Sequence, residues 1–145
     1  MSTSNNADGF IQIFRDEARE ILTELEAALL QLNEARSDLD LVGRVFRALH
    51  TIKGSGSMFG FDQLAAFTHD LETAFDEVRN GRMPVTSELI DLTLEALDQI
   101  KAMLEDHSDS SRADATVCKQ ILAKVKRMTA EPSDDTPLLR LSHLL

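Results

Sequence analysis

Residues 39–79 read LDLVGRVFRALHTIKGSGSMFGFDQLAAFTHDLETAFDEVR, and this stretch decides the fold class. Its apolar residues recur at helical spacing in two runs, the first Leu41, Val45, Leu49 and Ile52, the second Leu64, Phe67, Leu71, Phe75 and Val78. That period is typical of a helix with one buried face. Gly60 interrupts the pattern and Asp62 restarts it. The stretch therefore predicts two helices, over 39–58 and 62–79, which turn back on each other as an antiparallel hairpin.

The same period continues on both sides of this hairpin. It predicts three further helices, over about 8–33, over about 86–105, and over a last segment that ends near residue 128. Ser37 or Asp38 can cap the second helix, and Thr86 can cap the fourth. Helices joined by short loops pack as antiparallel neighbours. We therefore expect an all-α protein, an antiparallel four-helix bundle with an additional fifth helix.

The two ends of the chain differ from its middle. Residues 1–8 are polar, and we expect a disordered N-terminus there without the features of a signal peptide. Residues 129–145 contain Pro132 and Pro137, which disfavour a helix interior, so we expect a linker or tail. The folded domain is predicted to span 9–128.

The composition narrows the classes of function. With 43% apolar and 28% charged residues, the chain is expected to be globular, and it lacks the long apolar run of a membrane helix. The single Cys118 cannot form an internal disulfide, so a reducing, cytoplasmic location is expected. The net charge of -10 disfavours nucleic acid as a partner.

One segment departs from this acidic average. Residues 41–61 contain no Asp or Glu, but they include Arg44, Arg47 and Lys53. Such a segment indicates either that an anionic group binds there or that charge varies by chance along a solvated surface. Both interpretations remain open on composition alone.

Two glycines within the predicted second helix need a reason, because each costs roughly 0.5–1 kcal/mol relative to alanine in a helix. Gly54 follows His50 by one helical turn, so its missing side chain clears space beside the imidazole. Gly56 falls on the line of the apolar stripe, where it permits close packing of helices. An alternative is that both glycines serve packing only.

A second group of polar residues lies on the predicted third helix. His69 and Glu72 are three residues apart and project together. A hairpin that turns near Gly60 brings them level with His50. A carboxylate there can accept the Nδ1 proton of the imidazole and leave Nε2 free to attack. Lys53 then lies where phosphoryl oxygens need a cation.

Other chemistries fit these residues less well. A metal site formed by His50, His69 and Glu72 is the second interpretation, but Lys53 would place a positive charge among the ligands. The chain has no Gly-x-Ser-x-Gly motif after a strand and no Gly-x-x-x-x-Gly-Lys loop. We therefore expect no resident metal, no serine hydrolase chemistry and no nucleotide pocket of this kind.

The run from Phe46 to Phe61, followed by Thr68-His69-Asp70-Leu71-Glu72, resembles the N-terminal phosphotransfer domain of CheA-type chemotaxis histidine kinases. That family has a His-Ser-Ile-Lys-Gly core, a Gly-Phe ending and a Thr-His-x-x-Glu motif on the next helix. Here Thr51 stands where serine is common, and Ser55 where glycine is common. The resemblance covers about residues 10–128.

The resemblance implies a role for each matched residue. His50 is the residue that is phosphorylated, Glu72 activates its imidazole through a hydrogen bond, and Lys53 and His69 help to hold the phosphoryl group. It also implies that ATP and magnesium are used by a separate kinase domain, so that this chain binds no cofactor itself. Whether the chain by itself counts as an enzyme stays open.

The implied function is phosphoryl relay in chemotaxis signalling. The implied partners are the ATP-binding domain of a CheA-type kinase and response regulators of the CheY or CheB type. Contacts with partners are expected at three positions of the same helix as His50, namely Arg47, Gly54 and Ser57. The alternative function is a helical protein–protein interaction module that performs no chemistry.

Overall fold

Helices make up nearly all of the structure. The computed structural model describes the backbone of residues 2–105 and 113–144, and the side chains of residues 9–105 and 113–129. The elements are α1 (Ser2–Glu34), α2 (Leu39–Met58), α3 (Asp62–Arg79), α4 (Ser87–Glu105) and α5 (Ala115–Leu144). These ranges contain no strand, and none of their helices has the length and apolar character needed to cross a bilayer.

The first four helices enclose one core. α1 packs against α2 and α4, and α3 packs against the same two helices, so that the four close a ring. α5 packs on the outside against α3 and α4. Every helix contributes fully or nearly fully buried apolar side chains, among them Leu22, Leu49, Phe75, Leu97 and Ile121. The predicted four-helix bundle with an additional fifth helix is confirmed.

Side-chain caps begin two of these helices where the sequence predicts them. The carboxylate of Asp38 accepts hydrogen bonds from the backbone N–H groups of Asp40 and Leu41, at 3.0 and 3.2 Å. The hydroxyl of Thr86 accepts from the N–H of Leu89 at 3.1 Å. Each cap satisfies backbone donors that have no partner within the helix. The predicted caps at Asp38 and Thr86 are thus confirmed.

The turn between α2 and α3 is tight. Gly60 has a φ of 84°, a conformation that glycine adopts without strain, and the N–H of Phe61 donates to the carbonyl of Gly56 at 2.8 Å. A Cβ atom on Gly56 would lie only 2.8 Å from Cδ2 of Leu64. The ring of Phe14 in α1 packs against the ring of Phe61 at an interplanar angle of 49°, with centroids 5.0 Å apart. The two arms of the hairpin are therefore held close at the turn.

The helices at the two ends are longer than predicted. α1 begins at Ser2, where a disordered segment 1–8 is predicted, because a helix that has formed extends at little cost through residues that include no glycine or proline. α5 continues through Pro132 and Pro137 to Leu144, since a proline removes one hydrogen bond and can kink a helix without ending it. The division between domain 9–128 and tail 129–145 stays a prediction. The polar loop predicted at 107–111 and the terminal residues Met1 and Leu145 lie outside the described residues.

Candidate functional site

His50 lies in the middle of α2 and points away from the core. Its side chain is 63% exposed, whereas the preceding residue, Leu49, is fully buried. One turn further along α2, a Cβ atom on Gly54 would meet none of the described atoms within 4 Å. The imidazole therefore has open space on this side. The alternative that both glycines serve packing is wrong for Gly54, and Gly56 is the packing glycine.

Glu72 of α3 is the centre of the site. Its side chain is only 8% exposed, and its two carboxylate oxygens have different partners on α2. Oε2 lies 2.5 Å from Nδ1 of His50, and Oε1 accepts a hydrogen bond from Nζ of Lys53 at 2.6 Å. These contacts lie further from the turn than the contact between Gly56 and Leu64, as an antiparallel hairpin requires. The predicted pairing of the two helices is confirmed.

The surroundings of Glu72 determine its charge. Burial by itself raises the pKa of this carboxyl group, but the hydrogen bonds from Lys53 and His50 and the positive charge of Lys53 outweigh that effect. The pKa therefore lies below its usual value of 4.5, and the group is a carboxylate at neutral pH. A carboxylate can only accept hydrogen bonds, so the neutral imidazole of His50 must carry its proton on Nδ1. Its Nε2 lone pair is then available for chemistry.

His69 and Lys53 complete the cluster. His69 lies one turn before Glu72 on α3, with its Nδ1 3.6 Å from Oε1 and its side chain 61% exposed. Lys53 is less exposed, at 27%, because its ammonium group turns inward to Glu72. The structure thus brings together the four residues that the sequence predicts to take part in the chemistry: His50, Lys53, His69 and Glu72. Their individual roles stay predictions.

The residues expected to contact partners lie on the exposed side of α2. Arg47 lines a groove of about 330 Å³ between α1 and α2, together with Glu24, Arg44 and Thr51. Ser57 is exposed in the last turn of α2, beside the hairpin end. Both side chains are therefore accessible, and the guanidinium group of Arg47 extends back along α2 to lie beside Gly43.

Two further residues, Phe46 and Arg79, lie at the site, and the sequence motif predicts no role for either of them. The ring of Phe46 lies nearly parallel to the imidazole of His50, at an interplanar angle of 13° and a centroid distance of 6.2 Å. The guanidinium carbon of Arg79 lies 3.9 Å from the centroid of the Phe46 ring. The spacing of four residues between Phe46 and His50 is a signal that was available in the sequence. Arg79 has no such signal, because its contact depends on the pairing of α2 with α3.

In the cluster of His50, Lys53, His69 and Glu72, the buried carboxylate binds an ammonium group. Within residues 9–105 and 113–129, no group of three or more His, Cys, Asp or Glu side chains is placed to hold a metal. The ammonium group of Lys53 already binds Oε1 of Glu72. The metal interpretation of His50, His69 and Glu72 therefore has no geometric support in the described part of the chain.

Comparison with known proteins identifies the family. Residues 9–110 match the family model of the Hpt domain. The chemotaxis protein CheA of Salmonella typhimurium is 34% identical over 133 residues, which are 92% of this chain and 20% of that protein. CheA of Bacillus subtilis is 41% identical over 100 residues, which are 69% of this chain and 15% of that protein. The chain thus spans about a fifth or less of the length of these curated relatives.

A solved structure shows the same architecture. It is the phosphorylated P1 domain of CheA3 in complex with CheY6 from R. sphaeroides, with a TM-score of 0.71 and 30% identity. The match covers 83% of this chain and 98% of that one. The helical bundle, the exposed histidine supported by a buried carboxylate, and the match of residues 9–110 agree with one another. This chain belongs to the Hpt family of histidine phosphotransfer domains.

Proposed function

We propose that this chain is a phosphoryl relay domain of a two-component chemotaxis system. His50 accepts a phosphoryl group from the ATP-binding domain of a histidine kinase and donates it to an aspartate of a response regulator. One observation carries the proposal: an exposed imidazole is held at Nδ1 by a buried, ionised carboxylate, that of Glu72. This geometry leaves Nε2 as an oriented nucleophile on a packed helix.

The first step forms the phosphohistidine. The Nε2 lone pair of His50 attacks the γ-phosphorus of ATP, and the bond between that phosphorus and the bridging oxygen of ADP breaks. Nδ1 keeps its proton throughout, so the imidazole acquires a positive charge. The carboxylate of Glu72 stabilises that charge through the hydrogen bond at Nδ1, as a carboxylate does for an imidazole in other nucleophilic sites.

The second step returns the site to its starting state. An aspartate oxygen of the response regulator attacks the phosphorus, the nitrogen–phosphorus bond breaks, and its electron pair returns to Nε2 of His50. The open space beside Gly54 admits the incoming groups. Lys53 has three N–H donors and uses one for Glu72, so it can donate another to a phosphoryl oxygen. His69 lies on the same exposed surface and adds a further donor.

Several features of the proposal concern the partners. We assign ATP and magnesium to the kinase domain, and regulators of the CheY or CheB type to the acceptor side. The complex of a P1 domain with CheY6 in R. sphaeroides supports the first of these regulator types. Arg47, Gly54 and Ser57 are proposed contacts because they lie exposed around His50 on α2. A cytoplasmic location, with Cys118 reduced, belongs to the same proposal.

The test is transfer from a kinase domain supplied separately. The chain is incubated with ATP, magnesium and the ATP-binding domain of a CheA-type kinase, and its intact mass is measured under non-acidic conditions. We expect one added phosphoryl group that is lost on acid treatment, absent in His50→Gln and still present in His69→Gln. His69 is the matched control because it is an equally exposed histidine of the same site. A folded wild-type chain that acquires no adduct would instead favour a binding module.

A further inference from the structure

The imidazole of His50 needs more than the contact with Glu72 to be oriented. The hydrogen bond at Nδ1 fixes one point of the ring, but the side chain is 63% exposed. A ring held at a single point can still tilt about that point and move Nε2. In-line attack on phosphorus depends on the direction of Nε2, so a second constraint on the plane of the ring has a direct effect on reactivity.

Phe46 is in a position to provide that constraint. It precedes His50 by four residues, so the two side chains are neighbours on α2. Their rings are nearly parallel, at 13°, and the centroid distance of 6.2 Å lies within the range of aromatic pairs. Phe46 is half-buried and packs against the core. On the other side, at Gly54, there is only open space. The Phe46 ring thus lies on one side of the imidazole, and the side toward Gly54 is open.

Phe46 is itself held from α3. The guanidinium carbon of Arg79 lies 3.9 Å from the centroid of its ring, the distance of a stacked cation–π contact. Nη2 of Arg79 donates a hydrogen bond to Oδ1 of Asp76 at 2.7 Å, which limits the motion of the guanidinium group. Arg79 is the last residue of α3. Both helices of the hairpin therefore contribute to the position of the Phe46 ring.

We propose that Phe46, held by Arg79, is a positioning residue for the phosphorylation of His50. Its ring limits the tilt of the imidazole, so that Nε2 faces the open side beside Gly54. This inference rests on the proposed relay function and adds a determinant of its rate. Neither Phe46 nor Arg79 contacts the phosphoryl group in this role.

The first test measures the motion of the His50 ring and needs no kinase. The ring carbons of histidine are labelled, and NMR relaxation gives the order parameter of the His50 ring in the wild type and in variants. We expect Phe46→Leu to lower this order parameter, because leucine fills space without a flat surface. Phe46→Tyr should keep it at the wild-type value, and Arg79→Gln should lower it by a smaller amount.

The matched control is Phe59→Leu. Phe59 is another half-buried phenylalanine, which stacks on Phe14 at the end of the bundle with centroids 5.4 Å apart. Its replacement removes the same atoms, and we expect the His50 ring to be as ordered as in the wild type. A loss of ring order in this control equal to that in Phe46→Leu would overturn the proposal, because it would show a general effect of loosened packing.

The second test measures the rate of phosphorylation by the separate kinase domain. We expect Phe46→Leu to lower kcat about three- to tenfold with KM little changed, since a tilted nucleophile binds its partner but reacts less often. Phe46→Tyr should restore kcat. A loss confined to KM would overturn the positioning role and make Phe46 a partner contact. Unchanged ring order in Phe46→Leu would contradict only the positioning role of Phe46. A wild-type chain that is not phosphorylated would contradict the relay function itself.

Discussion

Gly54 and Gly56 are two residues apart in α2, but they lie on different sides of the helix and meet different surroundings. A Cβ atom on Gly54 would contact nothing described within 4 Å, whereas one on Gly56 would lie 2.8 Å from Cδ2 of Leu64. Gly54 is exposed beside His50, and Gly56 is buried against α3. The same residue type in one short motif therefore has two different surroundings, open space on the side of the imidazole at Gly54 and the close approach of two helices at Gly56.

This difference extends along the whole helix. The outer side of α2 presents His50 to solvent, and the inner side buries Leu49 and Ile52 almost completely. Glu72 connects the two, because its buried carboxylate reaches from α3 to the edge of the outer side. The packed inner side provides a rigid support, so changes on the outer side are expected to alter reactivity with little effect on the fold.

The largest effect is expected for Glu72→Ala. Loss of the carboxylate frees the His50 ring and removes the group that stabilises its positive charge, so the rate of phosphorylation should fall by about 10²–10⁴-fold. The free energy of unfolding should fall by no more than about 1–2 kcal/mol, since Lys53 can turn to solvent. Single-turnover phosphorylation and urea unfolding measure the two quantities. Glu77→Ala, which removes another carboxylate of α3, is the control and should react at the wild-type rate.

The next effect is on stability and concerns the inner side of α2. Gly56→Leu forces a side chain into the space occupied by Leu64, and overpacking of this kind costs roughly 1–3 kcal/mol. Urea unfolding should show this loss, while the molecules that remain folded are phosphorylated at close to the wild-type rate. Wild-type stability in this variant would mean that α2 and α3 separate easily, and the comparison with Gly54 would lose its basis.

The matched substitution on the outer side is Gly54→Leu. We expect its free energy of unfolding to be unchanged or raised by up to about 1 kcal/mol, because leucine favours a helix more than glycine does. Phosphorylation of His50 should slow by about tenfold, since the new side chain occupies the approach to the imidazole. Gly54→Ala adds only a methyl group and should retain most of the rate. Normal transfer in Gly54→Leu would show that access from this side is not required.

The smallest effect is the pH dependence of stability that arises from Glu72. Its pKa in the folded chain lies below the ordinary value of 4.5, so the unfolded state binds the proton more readily. The stability that it contributes is therefore fully present above pH 4.5 and is lost as the pH falls through the lowered pKa. Glu72→Gln removes this contribution, so the difference in unfolding free energy between the wild type and the variant should shrink in that acidic range. A difference that grows on acidification would contradict the direction of the pKa shift.

The helix boundaries show where the apolar pattern of the sequence is sufficient to predict the end of a helix. Both bounds of α2 and of α3 agree with the prediction, because an apolar period ends at a clear signal such as Gly60 or Gly81. The outer ends of α1 and α5 differ from the prediction, since α1 continues to Ser2 beyond its buried stripe and α5 continues through Pro132 and Pro137. A helix can continue beyond the surface that it buries, and periodicity detects only the buried part.

The sequence by itself determined the five helices, the stripes that form the core, and the grouping of His50, Lys53, His69 and Glu72 on a hairpin, because local spacing and the turn at Gly60 specify these. Only the tertiary structure decided that Glu72 is buried, that Gly54 and Gly56 have different surroundings, and that the guanidinium group of Arg79 lies against the ring of Phe46. These contacts depend on how α2 and α3 rotate and slide against each other. The rotation and offset of α2 against α3 depend on how the whole core packs. They cannot be predicted from the apolar period of either helix alone.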